Sequence, residues 1–103
     1  MTQHYDVIVV GGGPAGIFAA LELIQSPALK VLLVEKGKDS TTRACPVRDT
    51  GSACMSCSPC NLVCGLGGAG AFSDGKLVLS TEVGGHLAQY LGEENAGKLI
   101  DYV

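Results

Sequence analysis

Two groups of residues in this chain of 103 have the types and the spacing to do chemistry. The first is Gly11, Gly13 and Gly16, which form G-x-G-x-x-G, followed 24 positions after Gly11 by an acid, Glu35. A loop of this kind receives the pyrophosphate of a dinucleotide. Gly11 makes the tight turn, Gly13 lets phosphate oxygens approach the backbone, and Gly16 lets a helix pack close to the preceding strand. Free N–H groups at the start of that helix, aided by its dipole, attract the anion. Glu35 can accept hydrogen bonds from the adenosine ribose hydroxyls, and its charge would repel a 2′-phosphate. The glycine pattern is weak alone; what makes it specific is a strand before it, a helix after it and an acid at the end of the next strand.

The second group is Cys54, Cys57, Cys60 and Cys64, spaced C-x2-C-x2-C-x3-C. This is the run of bacterial ferredoxins, except that Gly65 stands where they carry proline. An iron–sulfur cluster here would take Cys54, Cys57 and Cys60, with Cys64 or Cys45 as the fourth ligand. A tetrahedral zinc thiolate site, a thiol/disulfide pair and a set of free thiols are the competing readings, and spacing alone leaves all four open. His4 and His86 have no partners in the sequence that would make them catalysts. No Ser-His-Asp arrangement, paired carboxylate centre or P-loop lysine is present.

The elements that must position these residues can be read from the pattern. Residues 5–10 (YDVIVV) form a continuous β-branched run, as in a strand buried on both faces of a parallel sheet. Pro14 suits the first turn of a helix, on which Ile17, Ala20, Leu21 and Ile24 share one apolar face until Ser26-Pro27 stops it. Residues 30–35 (KVLLVE) form a second buried strand. Residues 4–36 thus make a βαβ unit with an expected right-handed crossover. A cysteine-rich loop, 43–64, is long enough to suggest a functional role. A second glycine-rich segment, 65–77, contains glycines at 65, 67, 68, 70 and 75, a density that implies sharp turns or a ligand against the backbone. Residues 76–80 (KLVLS) are expected to form a short third strand. A helical tail follows over 85–103, with residues 87–91 and 95–103 separated by Gly92. The fold class is therefore α/β, a partial Rossmann-like dinucleotide-binding domain.

Composition narrows the classes. With 47% hydrophobic and 17% charged residues, and glycines that have no period of three, the chain is neither disordered nor collagenous. A formal charge of −3 without a basic stripe argues against a nucleic-acid or membrane-surface partner. The apolar stretch at residues 7–21 contains four glycines and a proline and is too short to span a bilayer. The opening MTQHYD lacks the basic start of a secretory signal, which points to the cytoplasm and reduced cysteines.

Val9-Val10-Gly11-Gly12-Gly13-Pro14-Ala15-Gly16 resembles the opening of two-dinucleotide-binding-domain flavoproteins, and Glu35-Lys36-Gly37 is similar to their acid-basic-glycine ending. Gly67-Gly68-Ala69-Gly70-Ala71-Phe72-Ser73-Asp74-Gly75-Lys76-Leu77 resembles a narrower group of bacterial and archaeal FAD-dependent dehydrogenases, which also carry a Cys-Pro pair and clustered cysteines before that block, as at Cys45-Pro46 and 54–64. The resemblance implies an FAD-dependent oxidoreductase. In it, Gly11, Gly13, Pro14, Ala15, Gly16, Glu35 and Lys36 would surround the ADP half of FAD. Gly67, Gly68, Ala69, Gly70 and Ser73 would approach its pyrophosphate or flavin ring, and Lys76 would offset charge on the reduced ring. Members of the group are several times longer, so residues 1–103 look like an N-terminal fragment whose partner is the remainder of the FAD and substrate domains. An isolated fragment of this kind is expected to be marginally folded and inactive. An NAD(P)-binding module shares the first glycine pattern but would not explain the second block.

Overall fold

The computed structural model describes residues 2–103, which divide into two compact units, one ending at Ser73 and the other spanning Asp74–Val103. The first unit opens with strand β1 (Val7–Val10), helix α1 (Pro14–Leu23) and strand β2 (Val31–Val34). The strands pair in parallel with Val7 opposite Val31 and Val10 opposite Val34. Their amino ends are tied by Asp6, whose N–H donates to the Lys30 carbonyl at 2.9 Å and whose carboxylate accepts from the Lys30 N–H at 2.8 Å. Parallel strands require a crossover, and α1 supplies it. Gly13 is the extended residue before the helix and Pro14 fits its first turn, where the missing N–H leaves no intrahelical bond unmade. The last turn tightens as the Gln25 N–H reaches the Glu22 carbonyl at 3.2 Å and the Ser26 N–H reaches that of Leu23 at 3.2 Å, ahead of Pro27.

The expectation that both strands are buried on two faces requires correction. Val7, Val9, Val31 and Leu33 are half-buried, and α1 packs on this side, with Gly16 against the Val9 side chain. On the other side Ile8 is 58% exposed, Val10 84% and Val34 44%. A two-stranded sheet with one helix has only one covered face. Each of these three side chains thus forgoes much of the ~1.5–3 kcal/mol that full burial contributes.

After β2 the chain runs through a long irregular segment. The Asp39 carboxylate accepts from the Thr41 N–H at 2.9 Å and the Thr41 hydroxyl at 2.6 Å, while its carbonyl accepts from the N–H groups of Thr42 and Arg43, each at 3.0 Å. These local bonds form the turn that precedes Arg43. The unit closes with a 3-10 turn over Gly68–Phe72.

The second unit contains helices α2 (Leu87–Leu91) and α3 (Glu93–Tyr102), separated at Gly92, whose φ of +78° breaks the helix as the sequence anticipates. Glu93 and Glu94 lie in the first turn of α3, where they favour the helix dipole, and Ala96 is fully buried. Residues 76–80 do not form the expected strand: the only ladder among the described residues joins β1 and β2. Alternating apolar character becomes a strand only when a neighbour takes up its backbone hydrogen bonds, and none does so here. No helix among the described residues is long and apolar enough to cross a membrane.

Candidate functional site

The first glycine loop begins where β1 ends. The Gly11 N–H donates to the Val34 carbonyl at 2.7 Å, extending the pairing by one residue, and φ at Gly11 is +105°, a conformation open to glycine at little cost. The chain then enters α1 so tightly that a Cβ on Gly16 would collide with the Gly11 carbonyl oxygen. Gly13, by contrast, faces open space, with nothing within 4 Å of where its Cβ would lie. No side chain caps α1 and no acid occupies its first turn. Its leading N–H groups therefore have no side-chain cap of their own and remain available beside Gly13.

Glu35, just beyond β2, is fastened to this loop. One carboxylate oxygen accepts from the Gly12 N–H at 2.6 Å and the other from the Gly37 N–H at 2.8 Å. These bonds, the Gly12 one foremost and that of Gly65 adding to them, hold its pKa below the ordinary carboxylate range. Sequence reasoning gave Glu35 a ligand-accepting role. The structure adds a second, since the same carboxylate joins the two turns at the carboxyl ends of β1 and β2.

The second glycine segment lies directly on the first. The Gly67 N–H donates to the Gly12 carbonyl at 2.7 Å and the Leu66 N–H to that of Lys38 at 3.1 Å. A Cβ on Gly68 would meet the Gly13 Cα at 3.4 Å, and one on Gly37 would strike the Gly65 backbone. Two turns thus touch main chain to main chain, which explains the glycines at 37 and 65 better than flexibility does. Gly65 also needs glycine's freedom, with φ at +129°.

Between these turns lies a cavity of about 390 Å³ lined by Val10, Gly11, Gly13, Val34, Glu35, Lys36, Val63, Cys64, Gly65 and Gly68. It opens at the carboxyl ends of both parallel strands, where ligands of open α/β sheets bind. A larger depression of about 560 Å³, lined by residues including His4, Tyr5 and Lys30, lies at the amino ends, away from both glycine loops.

Of the residues singled out from the sequence, Gly11, Gly13, Glu35, Lys36 and Gly68 line the cavity. Gly16 sits behind it, Pro14 and Ala15 form the first turn of α1, and Gly67 is bonded to the loop. Ala69 and Gly70 are exposed on the 3-10 turn, and the Ser73 N–H closes that turn on the Gly70 carbonyl at 3.1 Å. Lys76, in the second unit, makes an exposed ion pair with Asp74 at 3.1 Å.

The expected metal ligands are not gathered. Cys54 and Cys57 are exposed in irregular chain, and Cys60 and Cys64 lie one turn apart, the Cys64 N–H donating to the Cys60 carbonyl at 2.8 Å. Among the described residues no three of His, Cys, Asp and Glu converge as metal ligands, so neither the iron–sulfur nor the zinc reading gains support. Ferredoxin spacing permits convergence but does not enforce it, since the loop has no regular structure to aim its thiols. Backbone N–H groups of Leu62 and then Val63 hold the Cys60 thiol below its ordinary pKa, and Cys64 lines the cavity.

Sequence reasoning missed Arg43. Its guanidinium donates from Nη1 to the Cys64 carbonyl at 3.0 Å and from Nη2 to those of Leu66 at 3.1 Å and Gly68 at 2.8 Å. An isolated cation in an aperiodic loop gives no signal of burial, so nothing in the sequence would have found it.

Residues 6–57, half of the chain, match the family model described as FAD binding domain. The chain is 40% identical over 87 residues to an uncharacterized protein of Clostridium beijerinckii, covering 84% of this chain and 16% of that protein. It is 49% identical over 41 residues to LodB of Marinomonas mediterranea, described as an FAD-dependent oxidoreductase, covering 40% of this chain and 11% of LodB. It is 51% identical over 37 residues to choline oxidase of Arthrobacter globiformis, covering 36% of this chain and 7% of that enzyme. The chain therefore spans about a sixth or less of the length of these curated relatives. No solved structure matches it.

Proposed function

The chain belongs to the FAD binding domain family, and we propose that it supplies the ADP-binding part of the FAD site in a longer FAD-dependent oxidoreductase. The observation that carries this reading is the cavity at the carboxyl ends of β1 and β2, where both glycine segments, Glu35 and Lys36 meet. Its residues fit the ADP half of the cofactor. Gly13 leaves room for a phosphate, the uncapped start of α1 offers N–H groups, and each Glu35 oxygen retains lone-pair capacity for a ribose hydroxyl.

FAD, when bound, supplies the two-electron acceptor chemistry of the reaction. The chain's own part is to bind and orient. Gly11 sets the turn, Gly16 keeps α1 close to β1, and the first turn at Pro14, Ala15 and Gly16 meets the pyrophosphate charge. Glu35 selects against a 2′-phosphorylated ribose, and Lys36 adds a positive charge at the rim. Gly67, Gly68, Ala69 and Gly70, with Ser73, are assigned to the pyrophosphate side of the cofactor. The reaction class is dehydrogenation of a small-molecule substrate held by the remainder of the longer protein.

Isothermal titration of the full-length protein, stripped of bound nucleotide, with FAD, ADP and nicotinamide dinucleotides tests this. FAD is expected to bind at least a hundredfold more tightly than NAD or NADP. Tighter binding of a nicotinamide dinucleotide would overturn the assignment in favour of an NAD(P)-binding module.

A further inference from the structure

Arg43 is 4% exposed, the one buried charged side chain among the described residues. Burying a guanidinium is costly unless its surroundings compensate, and a carboxylate is the usual compensation. No ion pair of Arg43 occurs within 4.0 Å among the described residues. What it has instead is three main-chain carbonyls, those of Cys64, Leu66 and Gly68, at 2.8 to 3.1 Å. Its Nε is buried without an acceptor. Its guanidinium carbon stands 4.8 Å from the Phe72 ring centroid, and that of Arg48 lies 5.2 Å from the same ring.

The identity of the accepting carbonyls matters. Cys64 and Gly68 line the cavity, and Leu66 lies between them, bonded to Lys38. Residues 64–68 have no ladder and no helix to hold them, since the 3-10 turn begins only at Gly68. A planar fork with fixed N–H directions can pin three alternate carbonyls of such a segment in a way that a lysine ammonium cannot. The same fork leaves one full positive charge a single hydrogen bond behind the cavity wall, with Asp39 felt at longer range but forming no ion pair with it.

Resting on the assignment of this cavity to the ADP half of FAD, we propose that Arg43 is a positioning residue for the cofactor. It clamps residues 64–68 over the phosphate loop and places its charge behind the wall that faces the pyrophosphate. The buried charge is costly without the cofactor and is offset by its diphosphate, so cofactor binding and the clamp reinforce each other. Phe72 and the Asp39 turn hold the arginine in place without lining the cavity.

The test uses the full-length protein, with FAD affinity measured by quenching of flavin fluorescence at 20 °C for wild type, R43K and R43A. R43A is expected to weaken FAD at least tenfold, with added ethylguanidinium restoring most of the loss. R43K, which keeps the charge but cannot fork across three carbonyls, is expected to fall between R43A and wild type and to gain nothing from ethylguanidinium. Thermal melts of the apoproteins accompany the titrations, because a merely structural arginine would lower the melting temperature of R43K while leaving its FAD affinity unchanged. Unchanged FAD affinity in folded R43K overturns the proposal. Failure of wild type itself to bind FAD overturns the cavity assignment instead, whatever the variants do.

Discussion

At the scale of single residues, the site is governed by contacts that leave no room for a side chain and by one carboxylate that serves two turns. Gly16 is the sharpest case, because its missing Cβ is what lets the helix start beneath the Gly11 carbonyl. G16A is expected to cost about 1–3 kcal/mol, read by denaturant unfolding of the full-length protein, and unchanged stability would show that the turn can relax. Glu35 has a pH signature. Its folded pKa lies below the ordinary carboxylate range because Gly12 and Gly37 donate to it. The stability from these bonds is therefore complete above the unfolded glutamate pKa and is lost as pH falls through that value to the lower folded one. E35Q should be less stable than wild type at neutral pH, and the gap should narrow on acidification below about pH 4. A gap independent of pH would contradict the charge-assisted bonding. Cys60 offers a third check, since its thiol sits below the ordinary range through the N–H groups of Leu62 and Val63. Its alkylation rate, followed by peptide mass spectrometry, should level off at a lower pH than that of free cysteine.

At the scale of elements, what was legible in the sequence was whatever local sterics dictate. The first glycine turn, the start of α1 at Pro14, the break at Gly92 and the position of Glu35 at the end of β2 each follow from neighbouring residues, and each lies where the pattern put it. What was not legible depends on partners distant in the chain. The β-branched run of β1 reads as buried on both faces, yet Ile8 and Val10 are exposed because no second layer covers them. Residues 76–80 read as a strand, yet a strand exists only as half of a ladder. The four cysteines read as a ligand set, yet spacing does not aim thiols, and Arg43 carries no pattern at all. The uncovered face gives its own prediction. In the isolated chain V10T should change stability by no more than about 0.5 kcal/mol, whereas in the longer protein, where further layers are expected over β1, the loss should exceed 1 kcal/mol on the order of a buried apolar deletion. Equal effects in both would mean that this face stays open to solvent throughout.

At the scale of the whole molecule, the two compact units bury little: among the described residues Ala96 is the only fully buried apolar side chain, and Arg43 is the other buried side chain of any size. A two-stranded parallel sheet with one covered face is a poor independent domain, and the relatives extend well beyond the region matched. Glycines that look like a liability in such a thin core are concentrated instead where two turns meet around the cavity. On the proposed function, this is a cofactor-contacting piece whose stability further chain and the cofactor itself would complete. The central claim is that this cavity holds the ADP half of FAD, and the most direct measurement is of what the natural protein carries. Full-length protein purified from its source and denatured should release a yellow chromophore with the absorbance and mass of FAD, close to one per chain. Release of no flavin, together with failure of the apoprotein to take up added FAD, would contradict the account.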